Sequence, residues 1–257
     1  MPVSETTDRQ ASNGGDGPAL PINELFYSLQ GEGKLAGTPS VFVRTSGCNL
    51  RCWFCDSYHT SWEPTHATMS VDDIIAEVQS YEHADHVVLT GGEPLLHDDA
   101  VVLLDRLAAL GYHTTVETNG TIHRDAPIDL ASVSPKLASS TPTAETDPKG
   151  DGEWAARHDA RRIDVATLGA LADDYDTQLK FVVTDPSDMP EIESLLAEIR
   201  TATDTRIGDE DVVLMPEGTT HAELDARRNE VATLAMEHGY RYTPRLHVAL
   251  WNDAPET

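Results

Sequence analysis

Short apolar runs and amphipathic stretches alternate along the chain from residue 21 to its end. The apolar runs predict six buried strands, because a strand that is covered on both faces needs apolar side chains on both. They lie near residues 41–43, 87–89, 114–117, 131–133, 179–183 and 212–214. Since a strand followed by a helix is the repeating unit of a parallel sheet, the pattern predicts an α/β fold. Six strands are typical of an open or partial barrel rather than a closed barrel of eight.

The amphipathic stretches predict helices between and after these strands. The first follows Met69, because Ser70 can cap its first turn and the apolar residues at positions 71, 74, 75 and 78 fall on one face. Further helices are predicted near residues 100–110, 163–171, 191–199 and 222–238.

The chain length of 257 residues is that of one α/β domain. Residues 1–20 are polar and Gly-rich without an apolar stretch of secretory type, and we expect a disordered, acidic tail ahead of a core over residues 21–257. Between about residues 138 and 161 the composition changes to Thr, Pro, Asp and Gly without a clear period. We interpret this segment as a loop inserted in the single domain, because strand-like runs resume on both sides.

The charge of the chain excludes several classes of partner. The sequence has 18 Lys and Arg against 44 Asp and Glu, a formal net charge of −26. A surface this negative repels phosphate backbones, so nucleic acid is not an expected partner. No run reaches the roughly 20 apolar residues of a membrane helix, and we expect a cytoplasmic protein. The acidic, lysine-poor composition resembles that of halophilic proteins, in which concentrated cations screen the self-repulsion.

The three cysteines carry the strongest chemical signal. Cys48, Cys52 and Cys55 lie within eight residues, directly after a predicted strand. An odd number of cysteines in a reducing compartment argues against a structural disulfide. Three thiolates on one loop can bind three irons of a cubane cluster and leave the fourth iron open to another ligand. The alternative is a zinc site in which His59 completes a Cys3His set.

The cysteine loop and a later glycine segment together resemble the radical S-adenosylmethionine superfamily. Its members carry a C-x3-C-x2-C loop after the first strand and a Gly-Gly-Glu-Pro segment after the second. Here that segment is Thr90-Gly91-Gly92-Glu93-Pro94, behind the predicted strand 87–89. Two glycines let the backbone approach a ligand, and carbonyl and carboxylate oxygens can accept from the ammonium group of a methionine. The resemblance implies an open (β/α)6-type radical SAM barrel with a [4Fe–4S] cluster and S-adenosylmethionine (SAM).

Within this superfamily the sequence is similar to the 7-carboxy-7-deazaguanine synthases over most of the chain from Pro21 onward. The matching motifs are residues 22–33 (INELFYSLQGEG), 42–44 (FVR), 56–57 (DS), 117–121 (ETNGT), 134–136 (SPK), 179–183 (LKFVV) and 214–218 (LMPEG). The resemblance implies a carbon–nitrogen lyase that rearranges 6-carboxy-5,6,7,8-tetrahydropterin into 7-carboxy-7-deazaguanine with loss of ammonia. The product would serve queuosine or archaeosine biosynthesis. A flavodoxin- or ferredoxin-like electron donor, cleavage of SAM to a 5′-deoxyadenosyl radical and a homodimer are implied as well.

The resemblance also implies site residues, position by position. The implied substrate contacts are Leu29, Gln30, Gly31, Arg44 and Thr90. The implied SAM contacts are Phe54, Cys55, Asp56, Gly92, Glu117, Ser134, Pro135 and Lys136. Cys48, Cys52 and Cys55 would hold the cluster, and Ser57, where the family usually has threonine, would offer its hydroxyl to Mg2+. An ion pair at the strand ends is the alternative for Arg44 and Glu117, and a solvated loop charge is the alternative for Lys136.

The C-terminal sequence departs from the family pattern. Some members end in a proline near the active site, whereas here residues 248–257 follow His247. We therefore expect no role for a terminal carboxylate, and we leave His247 out of the predicted catalytic residues. Two other functions fit the cysteine spacing: a glycyl-radical activating enzyme, which acts on a protein backbone, and a non-enzymatic Cys3His zinc or electron-transfer module.

Overall fold

The computed structural model describes residues 17–150 and 152–252. Within them one sheet of nine strands runs through the molecule in the spatial order β3-β1-β2-β4-β5-β6-β7-β8-β9. The strands are β1 (Ala19–Leu29), β2 (Pro39–Thr45), β3 (Ala67–Ser70), β4 (His86–Gly91), β5 (His113–Thr118), β6 (Leu130–Val133), β7 (Thr177–Val183), β8 (Val212–Pro216) and β9 (Arg241–Tyr242). The sheet has two edges and does not close into a barrel. The predicted open α/β architecture is confirmed.

The six strands predicted from the apolar runs are the parallel centre of this sheet. They are β2, β4, β5, β6, β7 and β8, and each pairs in parallel with its neighbours in that order. β9 extends them in parallel, whereas β1 runs antiparallel to both β2 and β3. β1 begins two residues before the predicted start of the core, and its Leu20 and Ile22 are fully buried. The rest of the predicted tail, up to residue 16, lies outside the described residues.

Eight α-helices connect the strands of the described residues. They are α1 (Tyr58–Ser61), α2 (Val71–Gln79), α3 (Asp99–Ala109), α4 (Ala155–Asp159), α5 (Val165–Asp174), α6 (Met189–Ala202), α7 (His221–His238) and α8 (Leu246–Trp251). All five predicted helices are present. In α2 the Ser70 hydroxyl accepts from the backbone N–H of Asp73, and the apolar positions of the predicted face are buried. The predicted N-terminal cap and the predicted buried face of this helix are therefore both present. No helix of the described part of the chain has the length and apolar character to cross a membrane.

The helices cover one face of the sheet and leave the other face uncovered, as the side chains of β2 show. Val41 and Val43 belong to the large core that the helices complete, together with residues such as Phe181. Burial of each large apolar side chain contributes roughly 1.5–3 kcal/mol. Phe42 points to the other face, where its ring stacks on that of Phe26 with centroids 5.0 Å apart. Because side chains alternate along a strand, positions in phase with Phe42 line the uncovered face.

The segment predicted as a loop contains local structure. It includes α4 and the fully buried side chains of Ser140 and His158. Asp147 is also buried, and its carboxylate accepts from the backbone N–H groups of Lys149 and Gly152 at 2.7 and 3.0 Å. Because these contacts are not periodic in the sequence, the composition of the segment gave no sign of them.

Candidate active site

The carboxyl ends of the parallel strands meet at one edge, and the motifs singled out in the sequence analysis follow those ends. The cysteine loop follows β2, the glycine segment follows β4, and Ser134 follows β6. In an open parallel sheet this edge is where ligands bind. A cleft opens here, and every predicted site residue lines it except Pro135.

The three cysteines line this cleft together. All three are free thiols, and burial raises the pKa of Cys48 and of Cys52 to about 12. Buried thiols in this environment stay protonated unless a positive group compensates the charge of their thiolates. Iron supplies such a charge, so this donor set fits an iron–sulfur cluster.

The alternative Cys3His zinc set is not assembled. His59 does not line the cleft that the cysteines share, and its ring packs edge-on against Tyr58. Within residues 17–150 and 152–252, no three His, Cys, Asp or Glu side chains converge closely enough to hold a single metal ion. The three cysteines of a cubane cluster do not need to converge on a single point, because each of them binds a different iron.

The glycine segment packs directly on the cysteine loop. The backbone N–H groups of Gly92 and Glu93 donate to the carbonyls of Thr45 and Gly47 at 3.2 and 2.9 Å. A Cβ on Gly92 would overlap the Gly47 carbonyl, so only glycine permits this approach. The end of β4 and the cysteine loop are therefore held in a fixed relation.

The Glu93 carboxylate points away from the cleft into the protein. It accepts from the backbone N–H groups of Leu95 and Asn119 at 3.1 and 2.7 Å and from the Thr118 hydroxyl. Burial raises its pKa to about 7, although these donors act in the opposite direction. The expectation that a carboxylate of this segment receives a ligand's ammonium group is therefore wrong for Glu93, whose role is to connect β4 to β5.

Glu117, at the end of β5, joins two predicted substrate contacts. Its Oε1 accepts from the Gln30 side-chain amide at 3.2 Å, and its Oε2 accepts from the Thr90 hydroxyl at 3.1 Å. The ammonium of Lys180 lies 3.9 Å from Oε1. Glu117 is thus surrounded by neutral donors and one cation at the floor of the cleft.

Arg44, near the end of β2, also lines the cleft but does not pair with Glu117. Its Nε donates to Glu24 at 2.8 Å, and its Nη1 donates to the Ser57 hydroxyl at 2.8 Å. Its guanidinium carbon also lies 5.7 Å from the Phe26 ring centroid. These contacts orient the guanidinium beside the predicted Mg2+ ligand. Lys136 is likewise not a solvated loop charge, since its Nζ donates to Ser134 at 2.7 Å within the cleft.

The comparison with known proteins identifies the family to which the chain belongs. Residues 42–136 match the Radical SAM superfamily model. The chain is 39% identical over 249 residues to the 7-carboxy-7-deazaguanine synthase of Rhodopirellula baltica, which covers 96% of this chain and 93% of that relative. It is 33% identical over 244 residues to the synthase of Pyrobaculum aerophilum, covering 92% and 97%. The chain belongs to the 7-carboxy-7-deazaguanine synthase family. Membership implies a [4Fe–4S] cluster and SAM as cofactors.

The fold of this 7-carboxy-7-deazaguanine synthase family member is also that of solved radical SAM proteins. The crystal structure of QueE from Escherichia coli has a TM-score of 0.62 at 26% identity, covering 89% of this chain and 95% of that one. Streptococcus suis SuiB bound to its precursor peptide reaches 0.51 at 13% identity, which shows a shared fold alone. The relatives do not favour the glycyl-radical activating enzyme or the zinc module.

A buried chain of charges in the synthase cleft was missed as a site feature by the sequence analysis. Glu32 pairs with Lys180 and, at 3.0 Å, with Nε of Arg245, whose Nη2 reaches Asp56. Burial raises the pKa of the Glu32 carboxyl, but Lys180 and Arg245 lower it by more, so the pKa lies well below its usual range. Burial lowers the pKa of Lys180, whereas Glu117 and Glu32 raise it by more. All these groups are therefore charged at neutral pH.

His247 also belongs to the cleft, contrary to its omission from the predicted site. It lies on α8, whose first residue Leu246 donates its backbone N–H to the carbonyl of Gly31 at 2.9 Å. The imidazole lies so close to Gly31 that a Cβ at that position would overlap it. Burial lowers the pKa of His247, so the ring is neutral at physiological pH. The predicted contact Gly31 and the C-terminal helix thus form one wall.

Proposed function

We propose that this protein converts 6-carboxy-5,6,7,8-tetrahydropterin into 7-carboxy-7-deazaguanine with loss of ammonia. The observation that carries the proposal is that one cleft holds both the three-cysteine loop and the polar cluster around Glu117, in a chain similar to the synthases over almost its whole length. A radical enzyme needs both parts side by side, because the reactive carbon must lie next to the cofactor.

The cofactors would be held by residues of three strand ends. Cys48, Cys52 and Cys55 would bind the cluster. SAM would lie along Phe54, Asp56, Gly92, Ser134 and Lys136, all of which line the cleft. When bound, the cluster and SAM supply the radical chemistry. Of the sixteen predicted positions only Pro135 does not line the cleft, and we propose that it positions Ser134 and Lys136 without a contact of its own.

The substrate would be held by complementary charges and hydrogen bonds. A pterin presents N–H and amino donors at its pyrimidinone edge and a carboxylate at C6. Glu117 is implied by the resemblance as a SAM contact, but we propose that its carboxylate accepts from the pterin donors instead, because it is hydrogen-bonded to the predicted substrate contacts Gln30 and Thr90. The Arg44 guanidinium suits the substrate carboxylate, because its planar fork can donate two hydrogen bonds. Leu29 and Gly31 would cover the ring from β1 and the turn that follows it.

We propose Mg2+ as a further cofactor, with the Ser57 hydroxyl as its protein ligand. The Asp56 carboxylate lies 3.3 Å from the Ser57 Oγ and would favour a cation there. Magnesium keeps much of its water shell, so one hydroxyl and a substrate carboxylate suffice to hold it. The measurement is the Mg2+ concentration for half-maximal activity. It should rise about tenfold or more in Ser57→Ala and stay near the wild-type value in Ser57→Thr, and equal values in all three proteins would contradict this role.

Several finer features of the prediction also belong to this proposal. They are the homodimer, the flavodoxin- or ferredoxin-like donor, the cytoplasmic location in a salt-rich cell and the use of the product for queuosine or archaeosine. The net charge of −26 supports the saline habitat, because concentrated salt screens such repulsion. A melting temperature that rises between dilute buffer and molar KCl is the expected result.

The proposal is tested by anaerobic reconstitution with iron and sulfide in KCl, followed by incubation with the carboxytetrahydropterin, SAM and dithionite. We expect 7-carboxy-7-deazaguanine and ammonia in equal amounts. Cys52→Ala should form no product, and Arg206→Glu, an exposed change outside the cleft, should retain the wild-type rate. Product formation by Cys52→Ala at the wild-type rate would falsify the proposal.

A further inference from the structure

The short helix α1 follows the cysteine loop and packs back against it. Thr60, Ser61 and Trp62, at the carboxyl end of this helix, are all buried. The Thr60 hydroxyl donates to the carbonyl of Ser57 at 2.8 Å. The indole N–H of Trp62 donates to the carbonyl of Cys52 at 2.9 Å. These contacts on both sides of Ser61 fix the direction in which its side chain points.

The hydroxyl of Ser61 donates a hydrogen bond to the sulfur of Cys55. The two atoms, Ser61 Oγ and Cys55 Sγ, lie 3.1 Å apart. Only 2% of Ser61 is exposed, so little water can compete for this hydroxyl. Cys48 receives a donor as well, the backbone N–H of Leu50 at 3.4 Å. That donor does not depend on the side chain at position 50, whereas the donor to Cys55 is a side chain and can be removed by one substitution.

A hydrogen bond to the Cys55 sulfur has a definite effect on an iron–sulfur cluster. A [4Fe–4S] cluster gains one negative charge when it takes up an electron, and its thiolate ligands carry part of that charge. In this chain the net charge of −26 and the burial of Cys52 both disfavour the added charge. A hydroxyl that donates to a ligand sulfur acts in the opposite direction, because hydrogen bonds to the sulfurs are among the factors that set the reduction potential.

We propose that the Ser61 hydroxyl raises the reduction potential of the cluster by donating a hydrogen bond to the Cys55 thiolate. The bond stabilises the reduced cluster more than the oxidised one, because the reduced cluster carries the larger negative charge. On reduction one electron passes from an external reductant to the cluster, and the hydroxyl proton stays on Ser61. The inference goes beyond the proposed pterin reaction, since it concerns the cluster that family membership implies and holds whichever substrate the cleft accepts.

The test compares four reconstituted full-length proteins. They are wild type, Ser61→Ala, which removes the donor, Ser61→Thr, which keeps a hydroxyl at the same position, and Ser46→Ala. The last is the matched control, because Ser46 is also 2% exposed and lies two residues before Cys48. Its Oγ has no hydrogen-bond partner among the described residues, so the substitution removes an equally buried hydroxyl without removing a contact to sulfur.

The measurement is an equilibrium reductive titration at one KCl concentration. Titanium(III) citrate supplies the electrons, viologen mediators establish the potential, and the electron paramagnetic resonance signal gives the reduced fraction of the cluster. SAM and the pterin are left out, so the result does not depend on the proposed reaction. Iron and sulfide are determined on the same samples. We expect equal contents in all four proteins, because each of them keeps the three cysteines.

We expect the ratio of reduced to oxidised cluster at a fixed potential to fall about three- to tenfold in Ser61→Ala, which is a downward shift of about 28–59 mV for a one-electron couple. Ser61→Thr and Ser46→Ala should stay within about 1.5-fold of wild type. A Ser61→Ala ratio equal to that of wild type would overturn the proposal. So would an equal fall in Ser61→Thr or in Ser46→Ala, because the effect would then not come from the donor at position 61. Loss of more than half of the iron in Ser61→Ala would also overturn it, because the hydroxyl would then serve cluster assembly.

Discussion

The Glu117 carboxylate accepts a hydrogen bond from the Thr90 hydroxyl at 3.1 Å, across the ends of the neighbouring strands β4 and β5. The same carboxylate accepts from Gln30 of the stretch after β1 and lies 3.9 Å from the Lys180 ammonium of β7. One side chain therefore joins four parts of the chain at the floor of the cleft. Its charge is held in place before any ligand binds, which is the condition for precise substrate orientation.

We expect Glu117→Gln to lower kcat/KM roughly 10- to 100-fold, because a hydrogen bond to a charged group contributes about 1.5–3 kcal/mol. The amide preserves the shape of the side chain, so the melting temperature should change little. Steady-state kinetics with the carboxytetrahydropterin measures the effect, and Glu230→Gln on the exposed face of α7 serves as control. Equal kcat/KM values for the two variants would exclude a role for the Glu117 charge.

The buried charges around Glu32 predict a large effect on stability. Lys180→Met removes one of the two cations that pair with Glu32, and loss of one partner of a buried ion pair costs about 3 kcal/mol. Lys34→Met is the matched control, because Lys34 pairs with Asp211 nearer the surface and should lose about 1 kcal/mol or less. Urea denaturation at constant KCl gives both free energies of unfolding. Similar losses in the two variants would contradict the assignment of Lys180 to a buried charged chain.

Glu93 gives a pH dependence of definite sign. Its pKa is raised from 4.5 to about 7 by burial, so the folded protein binds more protons than the unfolded chain between these values. The contribution of Glu93 to stability is therefore fully present below pH 4.5 and is lost as pH rises through about 7. The loss amounts to about 3 kcal/mol, at 1.36 kcal/mol for each pKa unit.

This pH dependence is measured as a difference between wild type and Glu93→Gln, because other groups titrate in the same range. The free energy of unfolding of wild type should fall relative to that of the variant from pH 4.5 to pH 7. A constant difference across this range would mean that Glu93 is ionised in the folded protein throughout.

Gly31 and His247 are expected to behave as a coupled pair. In Gly31→Ala the new methyl overlaps the imidazole, so His247 must move and the protein should lose about 1–3 kcal/mol of stability. His247→Ala provides space for the methyl, so the double variant should be more stable than the sum of the single effects predicts. Thermal or urea unfolding of the four proteins completes the cycle. Additive effects would show that the two residues do not share the wall of the cleft.

His59 separates a cluster from a zinc site. After anaerobic reconstitution, His59→Ala should retain the wild-type content of iron and sulfide, because His59 lies outside the cleft. Cys52→Ala should lose most of both. Iron and sulfide analysis with a zinc determination on the same samples provides the comparison. Loss of bound metal in His59→Ala would support the Cys3His set instead.

The parallel centre of the fold could be predicted because its strands are buried on both faces and appear as apolar runs. β1 could not, since it has one half-buried face and pairs antiparallel, and β9 has only two residues. The helix α4 was missed because its stability comes from His158, which contacts Arg51, 107 positions away. Such contacts leave no period in the sequence.

The candidate site shows the same limit. The cysteine loop and the glycine segment are local motifs, whereas Glu32 meets Lys180 and Arg245 across 148 and 213 positions. One signal for Lys180 was present, because a lysine inside the apolar run 179–183 must be buried against a partner. The identity of that partner, however, follows only from the order of the strands.

The electron paramagnetic resonance spectrum of the reconstituted, reduced protein, recorded before and after addition of SAM, tests the central claim most directly. Three cysteines leave one iron of the cubane without a protein ligand, so the account predicts a cluster signal whose g-values shift when SAM binds that iron. A cluster signal that SAM leaves unchanged, or a protein that takes up zinc in place of the cluster, would contradict it.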